Sequence, residues 1–172
     1  MSDEHTDTRE TRLGDDDGPV AGQRSASASI LVVEDDAPLC ELISRRLKAE
    51  GFRVDAVTTT REAILLLRDR SFGAVLCDVR LPGMSGLDLL RFVRLLDQQT
   101  TIVLTSGLRD VPTAVEAMKL GADDFLAKPF KMSEVLAALR DAMVRRRTTF
   151  QRLQRSQELE TAAAAAGADE DR

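Results

Sequence analysis

Four places in this chain pair a short apolar run with polar groups that could do chemistry. Glu34, Asp35 and Asp36 follow the run at 30–33, and Asp78 follows the run at 74–77. Thr105 follows residues 101–104, and Lys128 with Pro129 follows residues 124–127. A further run, 53–57, ends without a comparable group. Carboxylates that are brought together repel, and the usual remedies are protonation or a bound cation. The only histidine is His5, and both cysteines lie within apolar stretches, so the available ligands are oxygens. Oxygen-only donors suit a hard cation such as Mg²⁺, which takes few protein carboxylates and keeps several waters. That leaves room for a phosphoryl oxygen. Asp78 could then attack a phosphoryl donor, as carboxylates do in aspartyl-phosphate chemistry. Lys128 and Thr105 would hold the equatorial oxygens while the metal neutralises developing charge.

Such a site exists only if the chain brings distant strand ends to one edge. The apolar runs are β-branched and short, and stretches with helical spacing separate them. Leu39, Leu42, Ile43 and Leu47 follow Pro38 and stop at Gly51. Ala63, Ile64 and Leu67 follow a run of threonines suited to capping. Leu87, Leu90 and Val93 stand behind a Pro82-Gly83-Met84-Ser85-Gly86 turn. A fourth stretch runs from Pro112 to Leu120 before Gly121, and a fifth begins after Ser133 with Val135, Leu136, Leu139 and Met143. Pro or Ser/Thr at helix starts and Gly at ends match the asymmetry of helix termini. Five βα units of this kind predict an α/β domain, a parallel sheet with helices on both faces. In open α/β sheets the ligand site lies outside the carboxyl ends of the strands.

The chain's totals narrow the options. Its 172 residues suffice for one domain with a full core. Neither Trp nor Tyr is present, so the core is expected to be aliphatic. No stretch approaches the roughly 20 apolar residues of a membrane span. The amino-terminal residues are polar and acidic, without an apolar stretch that could act as a signal peptide, so cytoplasmic residence is expected. Cys40 and Cys77 read as buried free thiols. A net charge of −5 argues against nucleic-acid binding by the whole chain. Arginine outnumbers lysine 20 to 4, which gives Lys128 more weight.

Four stretches together resemble the receiver domain of bacterial two-component response regulators. They are Ile30-Leu-Val-Val-Glu-Asp-Asp36, Leu76-Cys-Asp-Val-Arg-Leu-Pro-Gly-Met-Ser-Gly86, Thr101-Ile-Val-Leu-Thr-Ser-Gly107 and Gly121-Ala-Asp-Asp-Phe-Leu-Ala-Lys-Pro-Phe130. Each motif alone could arise by chance; all four in order are very specific. The resemblance spans residues 29–147. It implies a flavodoxin-like, five-stranded parallel sheet of strand order 2-1-3-4-5. It implies that Asp78 is the phosphoacceptor, with Glu34 and Asp35 as the acidic pair and the backbone carbonyl of Arg80 completing a Mg²⁺ shell. It makes Thr105 the switch hydroxyl, Phe125 the switch aromatic and Lys128 the phosphate-binding lysine, with a cis bond at Lys128-Pro129. The implied partners are a sensor histidine kinase or histidine phosphotransfer protein, and a downstream protein effector met through the face of the fourth helix, fifth strand and fifth helix. Such a protein catalyses its own phosphorylation and dephosphorylation without being an enzyme in the turnover sense.

Plainer readings stand beside these. Strand-end acids often only cap the next helix, and Asp36 is treated as supporting charge. Thr105 and Phe125 would serve as ordinary strand and core residues elsewhere. A phosphatase with an aspartyl intermediate commonly has a second Asp two residues after the nucleophile, where this chain has Arg80. A flavin binder of similar fold needs a Ser/Thr/Gly-rich phosphate loop, whereas Glu34, Asp35 and Asp36 would repel a phosphate.

Both flanks lie outside the motifs. Residues 1–28 are expected to form a disordered acidic tail. Residues 148–172 are expected to form a helical extension with a flexible end, the alanine run at 162–166 already fraying. Leu136, Met143 and Phe150 recur every seven residues, which allows a short coiled coil pairing two copies. Residues 140–155 hold six Arg against one Asp, suited to nucleic acid, to an acidic partner or, most simply, to a solvated helix face. No helix-turn-helix or enzyme domain is recognised after residue 147, which points to a receiver acting through protein partners.

Overall fold

The computed structural model describes residues 28–107 and 110–167. The expected acidic tail, apart from Ala28, and the last five residues lie outside the described residues. Strands β1 (Ser29–Val33), β2 (Arg53–Val57), β3 (Ala74–Asp78), β4 (Thr101–Ser106) and β5 (Asp124–Ala127) alternate with five helices. These are α1 (Ala37–Ala49), α2 (Thr60–Asp69), α3 (Gly86–Leu96), α4 (Val111–Lys119) and α5 (Met132–Gly167). The strands pair in parallel in the order β2-β1-β3-β4-β5. The expected fold class and strand order are both observed.

Alternation along the central strands divides the core in two. Ile30 and Val32 of β1 face α1 and α5, meeting Ile43, Leu47, Val135 and Leu139. Leu31 and Val33 face the opposite way, toward Ala63 and Leu67 of α2, Leu89, Leu90 and Val93 of α3, and Ala117 of α4. β1, β3 and β4 are therefore buried on both sides, which is why they read as nearly continuous apolar runs. β2 and β5 lie at the sheet edges and are more exposed. The strand order reverses direction between β1 and β3, so a crevice opens beyond their carboxyl ends.

Two strands extend further than their apolar runs. β3 includes Asp78 and β4 includes Thr105 and Ser106, because the ladder continues through the polar residues. Val79 N–H donates to the Thr105 carbonyl at 2.8 Å, just past the last strand residue. Asp78 is thus held by sheet geometry instead of hanging in a loop.

α5 is also longer than the sequence suggested, running unbroken through the alanines at 162–166 to Gly167. At ~1.5 Å per residue this helix is about 54 Å long. Its first turns bury one face, through Val135, Leu136, Ala138, Leu139 and Ala142, whereas every side chain described from Gln151 to Ala165 is exposed.

One polar cluster ties α5 to the rest. The Arg94 guanidinium of α3 donates to Gly121 O, Thr100 O and Asp123 Oδ2 at 2.8, 2.6 and 2.9 Å. Asp123 also accepts from Ile102 N–H and from Arg146 of α5, each at 2.8 Å. Buried charge is tolerated here because each partner is hydrogen-bonded.

Candidate functional site

The carboxyl ends of β1, β3 and β5 bring Glu34, Asp78 and Lys128 together. Lys128 Nζ donates to Asp78 Oδ2 at 2.6 Å and to Glu34 Oε2 at 2.7 Å. Glu34 is 2% exposed and Asp78 7% exposed, so both carboxylates are largely out of water. Burial pushes the Glu34 carboxyl above its usual range, against the opposing hydrogen bonds from Lys128 and the Asp36 N–H. For Lys128, burial alone would lower the pKa; the hydrogen bonds to Asp78 and Glu34 outweigh it and raise it. One ammonium therefore compensates two buried carboxylates.

Local structure fixes each of these groups. Asp36 N–H donates to Glu34 Oε1 at 3.1 Å, turning the carboxylate back toward the strand end. Arg80 N–H donates to Asp78 Oδ1 at 2.9 Å. Lys128 N–H bonds Ser106 O at 2.6 Å, and the Lys128-Pro129 peptide is cis. Asp35 is exposed beside the pair, and oxygens of Glu34, Asp35 and Asp78 all lie within 4.8 Å of one another. An all-oxygen set of three carboxylates with one exposed member fits a hard divalent cation.

The three neighbouring acids separate by role. Asp36 is the N-cap of α1 and accepts from Leu39 N–H at 3.0 Å, so the capping reading applies to this residue. Glu34 and Asp35 are left to the cluster. Thr105 stands opposite Asp78 in the β3–β4 register and is buried. Phe125 stands opposite Leu104 and packs against the core on the α3–α4 side.

Gly86 was legible in the sequence only as part of a turn. A Cβ there would collide with the Asp78 carbonyl oxygen and lie 2.9 Å from Val79 Cα. The first residue of α3 thus packs directly on the end of β3. Beside it, Ser85 and Asp88 form a capping box, whose Ser-x-x-Asp spacing the sequence does display. Cys77, next to Asp78, is fully buried and its thiol is pushed up by burial first and the nearby carboxylates second, consistent with a core thiol.

This constellation, at the carboxyl ends of a doubly wound parallel sheet, is the arrangement expected of a receiver-type domain. Residues 30–140 match the response regulator receiver domain family, and the chain belongs to that family. The C4-dicarboxylate transport transcriptional regulatory protein DctD of Rhizobium meliloti is 37% identical over 123 residues, covering 72% of this chain and 27% of that protein. The transcriptional regulatory protein FixJ of Bradyrhizobium diazoefficiens is 39% identical over 114 residues, 66% of this chain and 56% of that protein. The solution structure of the beryllofluoride-activated NtrC4 receiver domain dimer superposes with a TM-score of 0.65 at 30% identity, covering 69% of this chain and 98% of that one. The chain thus spans about half or less of the length of these curated relatives. Among the described residues, no helix is long and apolar enough to cross a membrane.

Proposed function

We propose that this chain is a phosphorylation-controlled response regulator whose Asp78 accepts a phosphoryl group from a sensor histidine kinase or histidine phosphotransfer protein. The observation carrying this reading is the Lys128 ammonium shared between Asp78 and Glu34 at 2.6 and 2.7 Å, with Asp35 beside them. An Asp78 oxygen attacks the phosphorus of a phosphohistidine; the P–O bond forms, the P–N bond breaks and the imidazole leaves with a proton. Glu34, Asp35, Asp78 and the Arg80 carbonyl would hold Mg²⁺, which supplies charge neutralisation for the transferring group. Lys128 binds a phosphoryl oxygen and compensates the added charge. The buried Thr105 hydroxyl donates to another oxygen.

Moving Thr105 toward the phosphoryl group opens space into which Phe125 turns, altering the surface of α4, β5 and α5. That surface includes Val111, Val115 and Met118 of α4, all exposed apolar side chains suited to a protein partner. Converting a 1:99 equilibrium into 99:1 takes about 5.5 kcal/mol of differential stabilisation. A dianion bonded to an ammonium, a hydroxyl and a metal is of that order. The phosphoryl group stays on the protein until hydrolysed, so the chemistry is a switch and not turnover of a small substrate. The setting is the cytoplasm. Of the expected seven-residue row, Leu136 is buried in the domain's own core and Met143 packs against it, so pairing of two copies along α5 would fall to the half-buried Phe150 and the exposed Leu153.

The test is intact mass after incubation with acetyl phosphate, with and without Mg²⁺, for wild type and Asp78→Ala. A Mg²⁺-dependent gain of one phosphoryl group, absent in the variant, is expected. No gain in the wild type would refute the reading.

A further inference from the structure

The opposite edge of the sheet, at the amino ends of the strands, carries a groove of about 1090 Å³. One wall is the carboxyl ends of α2 and α3, and the other is α5 from Met143 onward. Phe72, Met143 and Phe150 supply apolar lining, while Arg68, Arg70 and Arg147 present exposed guanidinium groups. In all, five arginines line the groove against two aspartates, Asp69 and Asp97. Asp97 is already engaged, accepting from Gln99 N–H and the Thr100 hydroxyl. Arg70 is paired with Asp55 and Arg146 with Asp123, but Arg68 and Arg147 make no ion pair among the described residues. Arg152 and Arg155 continue the basic wall along α5.

We propose that this groove docks the chain's own acidic amino-terminal segment, residues 1–27. Ala28 itself lines the groove, so the segment joins the fold at that place. Ala28 is pinned there by its carbonyl, which accepts from Arg53 N–H at 3.3 Å. The segment holds seven carboxylates against three arginines, three of the acids consecutive at Asp15, Asp16 and Asp17. These three lie eleven to thirteen residues before Ala28. Eleven to thirteen residues with random-coil statistics span about 20 Å on average, enough to reach along the arginine wall. Such a tether gives an effective concentration in the millimolar range, so a site with a Kd of only about 1 mM is half filled. Charge complementarity and connectivity favour this occupant over a separate acidic protein, which would have to displace it. Docking therefore keeps the α5 arginines from external polyanions. It is independent of the phosphoryl chemistry at the other edge.

The test uses the 172-residue, isotope-labelled chain carrying a nitroxide at Gly14→Cys. Cys40 and Cys77 are buried, so the new thiol is the reactive one. With the segment docked half the time or more, amides of Gly73, Gln99 and Gln151 should lose more than about half their intensity. Raising salt from ~0.02 M to ~0.5 M shortens the Debye length from about 20 Å to about 4 Å and should restore them. Neutralising either side, by Asp15→Asn, Asp16→Asn and Asp17→Asn together or by Arg68→Gln with Arg147→Gln, should restore them too. The first variant leaves every described contact intact, so a folding defect in the second does not obscure the answer. Broadening centred elsewhere, or unchanged by the acidic substitutions, overturns the proposal. So does equal broadening in a mixture of labelled-spin and isotope-labelled chains, which would make the occupant another copy's segment.

Discussion

Replacing Lys128 by Met in metal-free protein should cost about 2–3 kcal/mol at neutral pH. The ammonium joins carboxylates whose side chains are 3% and 9% exposed, and it is itself 24% exposed. Removing one partner of a fully buried pair typically costs ~3–5 kcal/mol; water reaching the exposed side of this cluster trims that. Glu34 limits the loss further, since its pKa is already raised by burial and rises again without the lysine. A carboxyl whose folded pKa lies above its unfolded value has its stabilising contribution complete below the unfolded value, 4.5, and loses it as pH rises through the folded value. The deficit of the variant should therefore be smaller at acidic pH and grow toward neutrality. With a urea slope of about 2 kcal/mol per molar, the midpoint should fall by about 1–1.5 M. The chain has no Trp or Tyr, so far-ultraviolet circular dichroism is the probe. Adding Mg²⁺ should then stabilise the variant more than the wild type, because no ammonium competes for the same oxygens. At 100 times its Kd the metal contributes about 2.7 kcal/mol. Equal urea midpoints for variant and wild type in chelator, independent of pH, would refute the compensation argument.

Arg94→Met should destabilise by about 2–3 kcal/mol, below the fully buried case because Asp123 keeps Arg146 and the Ile102 N–H; a double-mutant cycle with Asp123→Asn in urea titrations should return a coupling above ~1 kcal/mol. Gly86→Ala forces a Cβ onto the Asp78 carbonyl and should cost about 1–3 kcal/mol. It should also slow phosphorylation from acetyl phosphate by moving the end of β3, while leaving the far-ultraviolet spectrum unchanged. Ser85→Ala removes the α3 cap and should cost about 1 kcal/mol. The Ser85 side-chain and backbone hydrogen bonds hold Asp88 below 3.8, so its stabilising effect is present above that value and lost as pH falls through the depressed one. In the variant, the Asp88 carboxyl titration followed by NMR should move up toward 3.8.

The order and type of every strand and helix were legible in the sequence, because they follow from apolar period, proline, glycine and capping residues within a few positions. So was the set of groups after each strand: the resemblance marked Glu34, Asp35, Asp78, Thr105 and Lys128 before any contact was known. Which of the two consecutive aspartates caps α1 was not legible, since Asp35 and Asp36 differ only in where the backbone turns. Nor was the closeness of Gly86 to β3, which depends on how α3 docks against the sheet. The structure alone brings the Lys128 ammonium onto two carboxylates lying 94 and 50 positions earlier. It alone joins Arg146 to Asp123 and forms an arginine-lined groove at the far edge. Local patterns dictate elements because near neighbours interact in any conformation; contacts across the chain exist only once the sheet and its helices have packed.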